Sequence, residues 1–444
     1  MQSETQASPG LHHIVIVGGG AGGLELATKL GDSLGRKGKA HVTLIDHSRT
    51  HLWKPLLHEI AAGSMNPDKH ELDYLAQAHW HHFYFRLGNM DGIDRAKKEV
   101  YVAPYYDEDG AEIIPRRVFR YDSLIIAVGS TTNDFGIAGA RDYSIALDTQ
   151  DQAKRFHRRL HNALVRAQTQ AEPVQAGQLE VVIVGAGATG VELAAELHNT
   201  TRELTAYGLD KINPDKDIKI SLIEASDRVL PALPLKLSHA VEVELKKLRV
   251  HLYTGERVTE VTEKGVYTHS DRFIPSELVV WAAGIKAPDF LNNLDGLEAN
   301  RINQLLVKRT LQSTLDDNVF AFGDCAACPW PNHDENVPPR AQAAHQQASL
   351  LVKSMKRRIA GKPLPEYIYR DYGSLVNLGR YTTIGNLMGA IAGGSMFIEG
   401  LFARFMYQLL YKMHLMTLHG FFEVFLQTLA RMITRRSEAQ VKLH

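Results

Sequence analysis

Residues 13–30 read HIVIVGGGAGGLELATKL, an apolar run that breaks into glycines and resumes with helical spacing. The run favours a buried strand, and Gly18, Gly20 and Gly23 follow it at GxGxxG spacing. In such a turn the first glycine permits a tight bend, the second lets a pyrophosphate approach the main chain, and the third allows close helix–strand packing. Because the N-terminus of the following helix then faces the phosphates, the stretch predicts a dinucleotide site.

A closely similar sequence occurs at 181–197, VVIVGAGATGVELAAEL. Its glycines are Gly185, Gly187 and Gly190. After each turn a second apolar strand ends in an acid, Asp46 in the first passage and Glu224 in the second. Such a carboxylate binds a ribose diol and repels a 2′-phosphate, which favours NADH over NADPH, although the nearby Arg228 weakens this preference. One GxGxxG alone is weak support, but the whole pattern occurring twice indicates two dinucleotide sites.

Composition narrows the class of protein. A chain of 444 residues is expected to form two or three domains. Lys and Arg equal Asp and Glu at 50 each, so no overall field attracts nucleic acid. The first ten residues carry neither an apolar core nor an Arg-rich helix typical of targeting segments. Two cysteines suit a reducing compartment, and we expect a cytosol-facing protein.

Two dinucleotide sites in one chain suggest that electrons pass from one carrier to another, and the resident carrier is expected to be FAD. Apolar strands end in small-residue turns at 121–130 (YDSLIIAVGS) and 278–286 (LVVWAAGIK), and a third ends in Gly-Asp at 319–324 (VFAFGD). A carboxylate there could hold the ribityl chain of a flavin. The candidate residues in these turns are Gly129 for FAD, Gly284 for NADH, and Gly323 and Asp324 for FAD.

Together these passages resemble the flavoproteins with two dinucleotide-binding domains, over residues 12–365 approximately. The resemblance implies an α/β fold with two Rossmann-like domains, non-covalent FAD in the first and NADH in the second. The predicted FAD domain covers 12–150 and 305–365, the NADH domain covers 151–304, and 366–444 forms C-terminal strands and amphipathic anchor helices.

Disulfide chemistry of the usual kind in this superfamily is not expected, because residues 51–63, HLWKPLLHEIAAG, contain no cysteine. The only two cysteines are Cys325 and Cys328, directly after the Gly-Asp turn. A structural role is favoured for this CAAC pair, while a redox role stays open. No metal site is predicted, because zinc needs four ligands and no second CxxC is present.

Three further passages bear on the electron acceptor: HLWKPLLHE at 51–59, GATGVELAAELHN at 187–199 and PPRAQAAHQQA at 338–348. They resemble the bacterial type II NADH:quinone oxidoreductases, single-subunit respiratory enzymes that do not pump protons. The resemblance implies that Glu192 positions the nucleotide and handles quinone or protons. From its position, Lys54 is expected over the flavin, where it would favour negative charge on the reduced ring.

The AQxAxQ passage also has a physical interpretation. A helix can begin after Pro338 and Pro339, which places Gln342 and Gln346 four apart on one face. A flat quinone ring could lie against this face and accept hydrogen bonds from the two amides. From the pattern alone an ordinary Ala/Gln helix is the favoured alternative; the family resemblance reverses that preference.

The C-terminus is expected to reach the membrane that holds the quinone. Apolar residues follow helical spacing at 402–413 and again at 421–433, and Lys and Arg outnumber Glu from 401 onward. A basic amphipathic pair of helices lies in the interface and is attracted to anionic lipid. The charge-free run 381–398 contains repeated glycines and is interpreted as hairpin strands rather than a span. The alternative is a dimer interface or a core helix pair.

We therefore predict an NADH:quinone oxidoreductase bound peripherally at the cytoplasmic face of the bacterial inner membrane, with a homodimer as one option. The alternatives are a flavin reductase of the same fold with another acceptor, and an NADH-sensing flavoprotein that acts as a binding module.

Overall fold

The structure is a computed structural model that describes residues 2–3, 10–379, 382–389 and 394–434. The chain divides into two units. Unit 1 comprises 1–53, 70–131 and 285–371, and unit 2 comprises 54–69, 132–284 and 372–444. Each unit contains one of the two glycine turns and is described separately below.

Unit 1 is built on a five-stranded parallel sheet. Its strands, in spatial order, are Val319–Ala321, Ser123–Ile126, His12–Val17, Ala40–Asp46 and Tyr84–Leu87. The central strands are runs of Val, Ile and Leu because both faces of a parallel sheet are covered. Ile14, Ile16, Leu44 and Ile125 are fully buried.

Three helices accompany this sheet, Ala21–Leu30, Tyr74–Trp80 and Ala341–Ile359. A second sheet has the order Gln2–Ser3, Arg117–Arg120, Glu99–Val102 and Met90–Asp94. Two-residue and three-residue strands pair as Thr50–His51 with Leu72–Asp73, Tyr105–Tyr106 with Glu112–Ile114, and Leu305–Leu306 with Ala326–Ala327. The first helix is followed directly by a π-helical turn, Gly31–Gly35.

Unit 2 is also built on a five-stranded parallel sheet. One edge strand comes from late in the chain in unit 1 (319–321), whereas the corresponding edge strand of unit 2 (144–146) precedes the glycine turn. The spatial order is Ser144–Ala146, Leu278–Trp281, Glu180–Val184, Lys219–Glu224 and His251–Thr254, all parallel. Its helices before residue 250 are Leu57–Ala62, Ala140–Tyr143, Gln150–Thr169, Ala188–Ala206 and Leu235–Lys247. A capping box between Thr149 and Gln152 begins the helix Gln150–Thr169.

The rest of unit 2 consists of two small antiparallel sheets and two helices. The first sheet joins Val258–Thr262, Gly265–Thr268 and Phe273–Pro275. The second joins Gly373–Leu378, Thr382–Gly389 and Gly394–Glu399. The helices are Gly400–His419 and Phe421–Thr434. The hairpin strands expected within 381–398 are confirmed, except for residues 381 and 390–393, which lie outside the described part.

The units differ from the predicted domains in several stretches: 54–69 and 132–150 lie in unit 2, 285–304 lies in unit 1, and 372–444 belongs to unit 2. Ser144–Ala146 was expected in the first domain, but it pairs with Leu278–Trp281 in the sheet of unit 2. Residues 54–69 also belong to unit 2, since the helix Leu57–Ala62 packs against Gln150–Thr169 and Ala188–Ala206. Neither placement follows from sequence order, because both segments precede the second glycine turn in the chain.

No helix within the described residues is both long enough and apolar enough to cross a membrane.

Candidate active site

The first glycine turn has the geometry that a pyrophosphate requires. Gly18 has φ +101°, and a Cβ there would lie 2.4 Å from the carbonyl oxygen of Ala127. A Cβ on Gly23 would lie 1.8 Å from the carbonyl oxygen of Gly18. Around Gly20, by contrast, nothing lies within 4 Å of such a Cβ. The first and third glycines are therefore required by packing, while the second leaves open space for a phosphate.

The second turn repeats these features one by one. Gly185 has φ +104°, and a Cβ there would lie 2.7 Å from the Cα of Ala283. A Cβ on Gly190 would lie 2.0 Å from the carbonyl oxygen of Gly185. The position of Gly187 is open, with nothing within 4 Å. Both units therefore have a cradle that fits a dinucleotide pyrophosphate.

The acidic strand ends are held in the same way in both units. Asp46 accepts hydrogen bonds from the main-chain N–H of Gly19 at 2.5 Å and of Ser48 at 2.8 Å. Glu224 accepts hydrogen bonds from the main-chain N–H of Ala186 and of Ser226, both at 2.8 Å. Each carboxylate oxygen keeps lone pairs for a ribose hydroxyl.

Arg228, which had weakened the expected preference for NADH, donates a hydrogen bond to the carbonyl oxygen of Pro231 at 2.8 Å. At least one N–H group of the Arg228 guanidinium is therefore already hydrogen-bonded within its own loop.

The two predicted FAD segments of unit 1 meet at Asp324. Its Oδ2 accepts a hydrogen bond from the Ser130 hydroxyl at 2.9 Å, and its carbonyl oxygen accepts one from the Gln304 amide at 3.0 Å. The glycines next to these residues, Gly129 and Gly323, have φ +70° and +72°. Sequence reasoning missed Ser130 and Gln304, because neither residue type marks a flavin site by itself.

The glutamine helix begins as expected. Ala341–Ile359 is helical with Arg340 at its N-cap. The Gln342 amide donates to Asp371 Oδ1 at 3.1 Å. The Gln346 amide donates to the carbonyl oxygen of Arg370 at 2.8 Å and accepts from its N–H at 3.0 Å. Both glutamines therefore lie on one face, as predicted, and both contact the same segment, 370–371.

Lys54 and Gly284 lie in unit 2. The Lys54 ammonium is 3.2 Å from Asp148 Oδ1, and Asp148 also accepts a hydrogen bond from the N–H of Thr132. Gly284 has φ +67°, and a Cβ there would lie 2.3 Å from the ring of Phe135. The flavin contact expected for Lys54 and the NADH contact expected for Gly284 stay predictions.

Glu192 is buried, with 6% of its surface exposed. Its Oε1 accepts a hydrogen bond from the N–H of Asn377 at 2.9 Å, and its carboxyl also hydrogen-bonds with the hydroxyl of Tyr407. Burial, followed by the charge of Glu59, raises the pKa of Glu192 to about 8. Burial in this site therefore favours the protonated form of the carboxyl.

Comparison with known proteins agrees with this geometry. Residues 12–348 match the family model of the pyridine nucleotide-disulphide oxidoreductases. A type II NADH:quinone oxidoreductase of Haemophilus influenzae is 42% identical over 446 residues, which is 98% of this chain and 100% of that protein. The chain belongs to the type II NADH:quinone oxidoreductase family. A member from Staphylococcus aureus is 27% identical and covers 86% of this chain and 91% of its own length.

Among solved structures, NDH2 from Plasmodium falciparum in complex with NADH has a TM-score of 0.80 at 19% identity, covering 97% of this chain and 100% of that one. At this identity the likeness shows the fold alone. The resemblance inferred from sequence motifs is therefore confirmed at the level of both family and fold.

The two cysteines of this family member are buried and free. Burial raises the pKa of the Cys325 thiol to about 11 and that of the Cys328 thiol to about 12. Because the thiolate is the reactive form, this supports the structural role that the sequence favoured.

Glu25 was not among the predicted site residues, although the sequence contains a pattern that points to it. The turns read GxGxxGLELA and GxGxxGVELA, so Glu25 and Glu192 occupy equivalent positions. Glu25 is 2% exposed and contacts His345 and Lys29. Recognising the repeat past the third glycine would have identified it. Glu59, Tyr407 and Asn377, in contrast, reach Glu192 only through tertiary packing.

Proposed function

We propose that this chain oxidises NADH and reduces a membrane quinone, with FAD as the resident carrier. The observation that carries the proposal is the presence of one pyrophosphate cradle with an acidic ribose site in each unit, in a chain whose family is flavin-dependent. When bound, FAD supplies the two-electron chemistry that joins hydride removal from NADH to quinone reduction.

The residues of unit 1 would hold FAD. The turn of Gly18, Gly20 and Gly23 leaves room for the pyrophosphate, and Asp46 takes the ribose hydroxyls. Asp324, oriented by Ser130 and Gln304, is placed to bind the ribityl hydroxyls with Gly129 and Gly323 beside it.

The residues of unit 2 would hold NADH in the same manner. Gly185, Gly187 and Gly190 supply the pyrophosphate cradle, and Glu224 binds the ribose and repels a 2′-phosphate. Glu192 follows the third glycine, where its protonated carboxyl can donate a hydrogen bond. We retain Lys54 as a residue that favours negative charge on the reduced flavin, and Gly284 as an NADH contact.

For the quinone we propose the face of the helix Ala341–Ile359 that carries the half-buried Gln342 and Gln346. Gln342 and Gln346 already hold the segment 370–371. The hydrogen bonds between Gln346 and Arg370 use one amide proton and the amide oxygen, so a second amide proton is available for a quinone carbonyl.

An anaerobic rapid-mixing experiment tests the acceptor. The holoenzyme is first reduced with one equivalent of NADH and then mixed with a short-tailed ubiquinone, while flavin absorbance is followed. We expect rapid return of oxidised flavin. Slow return with quinone but rapid return with ferredoxin would favour a reductase with another acceptor, and slow return with every acceptor would favour an NADH-sensing binding protein.

The C-terminal helices are proposed as the membrane contact. The family is membrane-associated. Large apolar side chains on both helices face solvent in this structure: Leu401, Phe405, Leu410, Met413, Phe421, Phe422, Phe425, Leu426 and Leu429. An exposed apolar face of this size marks an interaction surface. We propose that it lies in the cytoplasmic leaflet of the bacterial inner membrane.

Attraction to anionic lipid would come from Lys412 and from basic residues further on, of which Arg435, Arg436 and Lys442 lie outside the described residues. Sedimentation with vesicles tests the surface. Phe422→Ser combined with Phe425→Ser should abolish binding to vesicles of phosphatidylglycerol, whereas Leu315→Ser, which alters an equally exposed apolar residue outside the helices, should not. If the double variant instead changes only the sedimentation mass of free protein, the face is a homodimer interface.

A further inference from the structure

The exposed side of the helix Gln150–Thr169 is strongly positive. The helix contains five Lys or Arg residues and a single acid, Asp151. Four of the cations are exposed within two turns and together form the basic face: Lys154, Arg155, Arg158 and Arg159. Because the chain as a whole has equal numbers of acidic and basic residues, this helix concentrates positive charge locally.

The cations of the basic face repel one another along the helix. Lys154 and Arg158 are four residues apart, and so are Arg155 and Arg159. Side chains at this spacing are neighbours on a helix surface, and like charges there destabilise the helix. The opposite side of the helix is held by burial of Phe156 and other apolar residues. The fold therefore tolerates this repulsion without requiring it for packing.

Neighbouring segments compensate only part of the charge. Glu277 pairs with Arg166 through its carboxylate and accepts a hydrogen bond from Arg159 through its carbonyl oxygen at 3.3 Å. The side chains of Arg155 and Arg158 are exposed and have no ion-pair partner within the described part of the chain. The uncompensated charge therefore lies in the N-terminal half of the helix.

Another exposed helix of the same unit shows the more usual pattern. On Leu235–Lys247 the Lys246 ammonium is 2.6 Å from Glu242, and the Lys247 ammonium is 2.6 Å from Glu244. Acids interleaved with bases in this way stabilise a solvent-exposed helix. The basic face lacks such interleaved acids, which favours an anionic partner outside the chain.

The basic face belongs to the same unit as the apolar face of the C-terminal helices. The helix Leu57–Ala62 packs against both Gln150–Thr169 and Ala188–Ala206. Gly400–His419 in turn hydrogen-bonds with Ala188–Ala206 through Tyr407. Packed helices lie about 8–10 Å apart, so these three steps span about 30 Å. This distance is short enough for one membrane surface to contact both faces.

Resting on the proposed membrane contact, we propose that the basic face is a second membrane-binding site, which binds the phosphate groups of anionic lipids. The planar guanidinium groups of Arg155 and Arg158 suit this role, because each can donate two parallel hydrogen bonds to phosphate oxygens. An apolar insertion and a basic patch are two signals that together hold a protein stably at a membrane. The attraction weakens with salt, because it falls off within a Debye length of about 10 Å.

Vesicle binding of the full-length holoenzyme tests the proposal. Arg155→Gln combined with Arg158→Gln should weaken binding to vesicles that contain phosphatidylglycerol by about 25-fold, since each cation near an anionic surface changes binding by about fivefold. Binding to vesicles of phosphatidylcholine alone should not change. The matched control is Lys216→Gln combined with Lys219→Gln, which removes two exposed cations of the same unit and should bind as the wild type does.

A fluorescent label on the same helix locates the contact directly. Asn162 is exposed on this helix, and the two native cysteines are buried. A label on Asn162→Cys can therefore be attached selectively. Its emission should shift when phosphatidylglycerol vesicles are added, whereas the same label on Lys216→Cys should not respond. Bound flavin and melting temperature are measured for every variant to detect misfolding.

Unchanged binding of the Arg155 and Arg158 double variant, or a label at 162 that does not respond, would overturn the second site. Full binding of this variant to phosphatidylglycerol vesicles with loss of binding to native membranes would also overturn it, and would favour an acidic protein partner. Phe422→Ser combined with Phe425→Ser tests the C-terminal contact separately, because it should weaken binding to neutral and anionic vesicles alike. If that variant binds normally while the arginine variant does not, the C-terminal contact fails and the basic face stands.

Discussion

The two glycine turns have the same local geometry, yet their equivalent glutamates are in opposite electrostatic states. Burial pushes the pKa of Glu25 up, but hydrogen bonds from His345 and Lys29 outweigh it and the pKa is lowered. Glu192 faces other carboxyls, and burial with Glu59 raises its pKa to about 8. The repeated motif therefore fixes where a carboxyl lies, and distant segments decide whether it is charged.

The partners come from far along the chain. His345, on the helix Ala341–Ile359, is 320 residues from Glu25, and Asn377 is 185 residues from Glu192. Hydrogen bonds with His345 and Lys29 make Glu25 a structural anion between two helices of unit 1. Acidic and phenolic partners make Glu192 a group that can gain and lose a proton near neutral pH. One repeated sequence therefore holds one carboxyl whose charged form is favoured and one whose protonated form is favoured.

The largest expected effect tests whether the two turns serve different ligands. A Cβ at Gly23 or Gly190 would overlap a carbonyl oxygen of its own turn, at a cost of about 3 kcal/mol or more. Gly23→Ala should yield protein without bound flavin and without activity. Gly190→Ala should retain flavin and lose reduction by NADH by about 100-fold or more.

Flavin absorbance of the purified variants and single-turnover reduction by NADH measure these outcomes. Gly92→Ala is the matched control, because a Cβ there meets only Tyr101 at an ordinary 3.6 Å. Loss of flavin from Gly190→Ala with retention by Gly23→Ala would reverse the assignment of the two turns.

The next effect concerns stability at neutral pH. Glu25→Gln removes a buried carboxylate that two partners require, and we expect a loss of about 1.5–3 kcal/mol in the free energy of unfolding. Glu192→Gln replaces the acid with a neutral amide of similar shape and removes the cost of keeping a proton on this carboxyl at neutral pH, so it should not lower the free energy of unfolding. Denaturant unfolding of both variants at equal flavin occupancy measures the difference; equal losses would show that the two glutamates share one charge state.

Glu192 and Glu25 should affect the stability of the protein at opposite ends of the pH range. The pKa of Glu192 is raised in the folded protein, so its contribution is present below the ordinary value of 4.5 and is lost as pH rises through about 8. Between pH 7 and 9 the wild type should lose stability through this group, on the order of 1 kcal/mol. The pKa of Glu25 is lowered, so its contribution is present above 4.5 and is lost as pH falls through the lowered value.

Glu192→Gln should therefore flatten the alkaline limb of a stability profile, and Glu25→Gln the acidic limb. Unfolding titrations at each pH provide the profile. An alkaline limb that is unchanged in Glu192→Gln would mean that the carboxyl is already ionised at neutral pH.

The smallest effect distinguishes the two ribose sites. Asp46→Asn and Glu224→Gln each place an amide where one carboxylate oxygen accepts a main-chain N–H, at a cost of about 1 kcal/mol. Asp46→Asn should weaken flavin retention about fivefold with KM for NADH unchanged. Glu224→Gln should raise KM for NADH about fivefold and reduce the preference of the enzyme for NADH over NADPH. A change in KM for NADH in Asp46→Asn but not in Glu224→Gln would contradict the assignment of Asp46 to FAD and Glu224 to NADH.

The sequence by itself determined the two α/β units, the pyrophosphate turns, the acidic strand ends, the glutamine face and the family. These features depend on residues close together in the chain, where hydrophobic periodicity and glycine spacing act directly. The sequence also predicted the hairpin strands within 381–398 and the two C-terminal helices, because glycine placement and hydrophobic periodicity are local features of the chain.

Tertiary structure alone decided that Ser144–Ala146 and residues 54–69 belong to the unit of the second turn. It also decided that Ser130 orients Asp324, that Gln346 binds the Arg370 main chain, and that Glu25 and Glu192 differ in charge. The physical reason is that the pKa and hydrogen bonding of a buried group depend on every charge and dipole within a few ångströms. Folding brings those neighbours together from distant parts of the chain, and no local pattern specifies them.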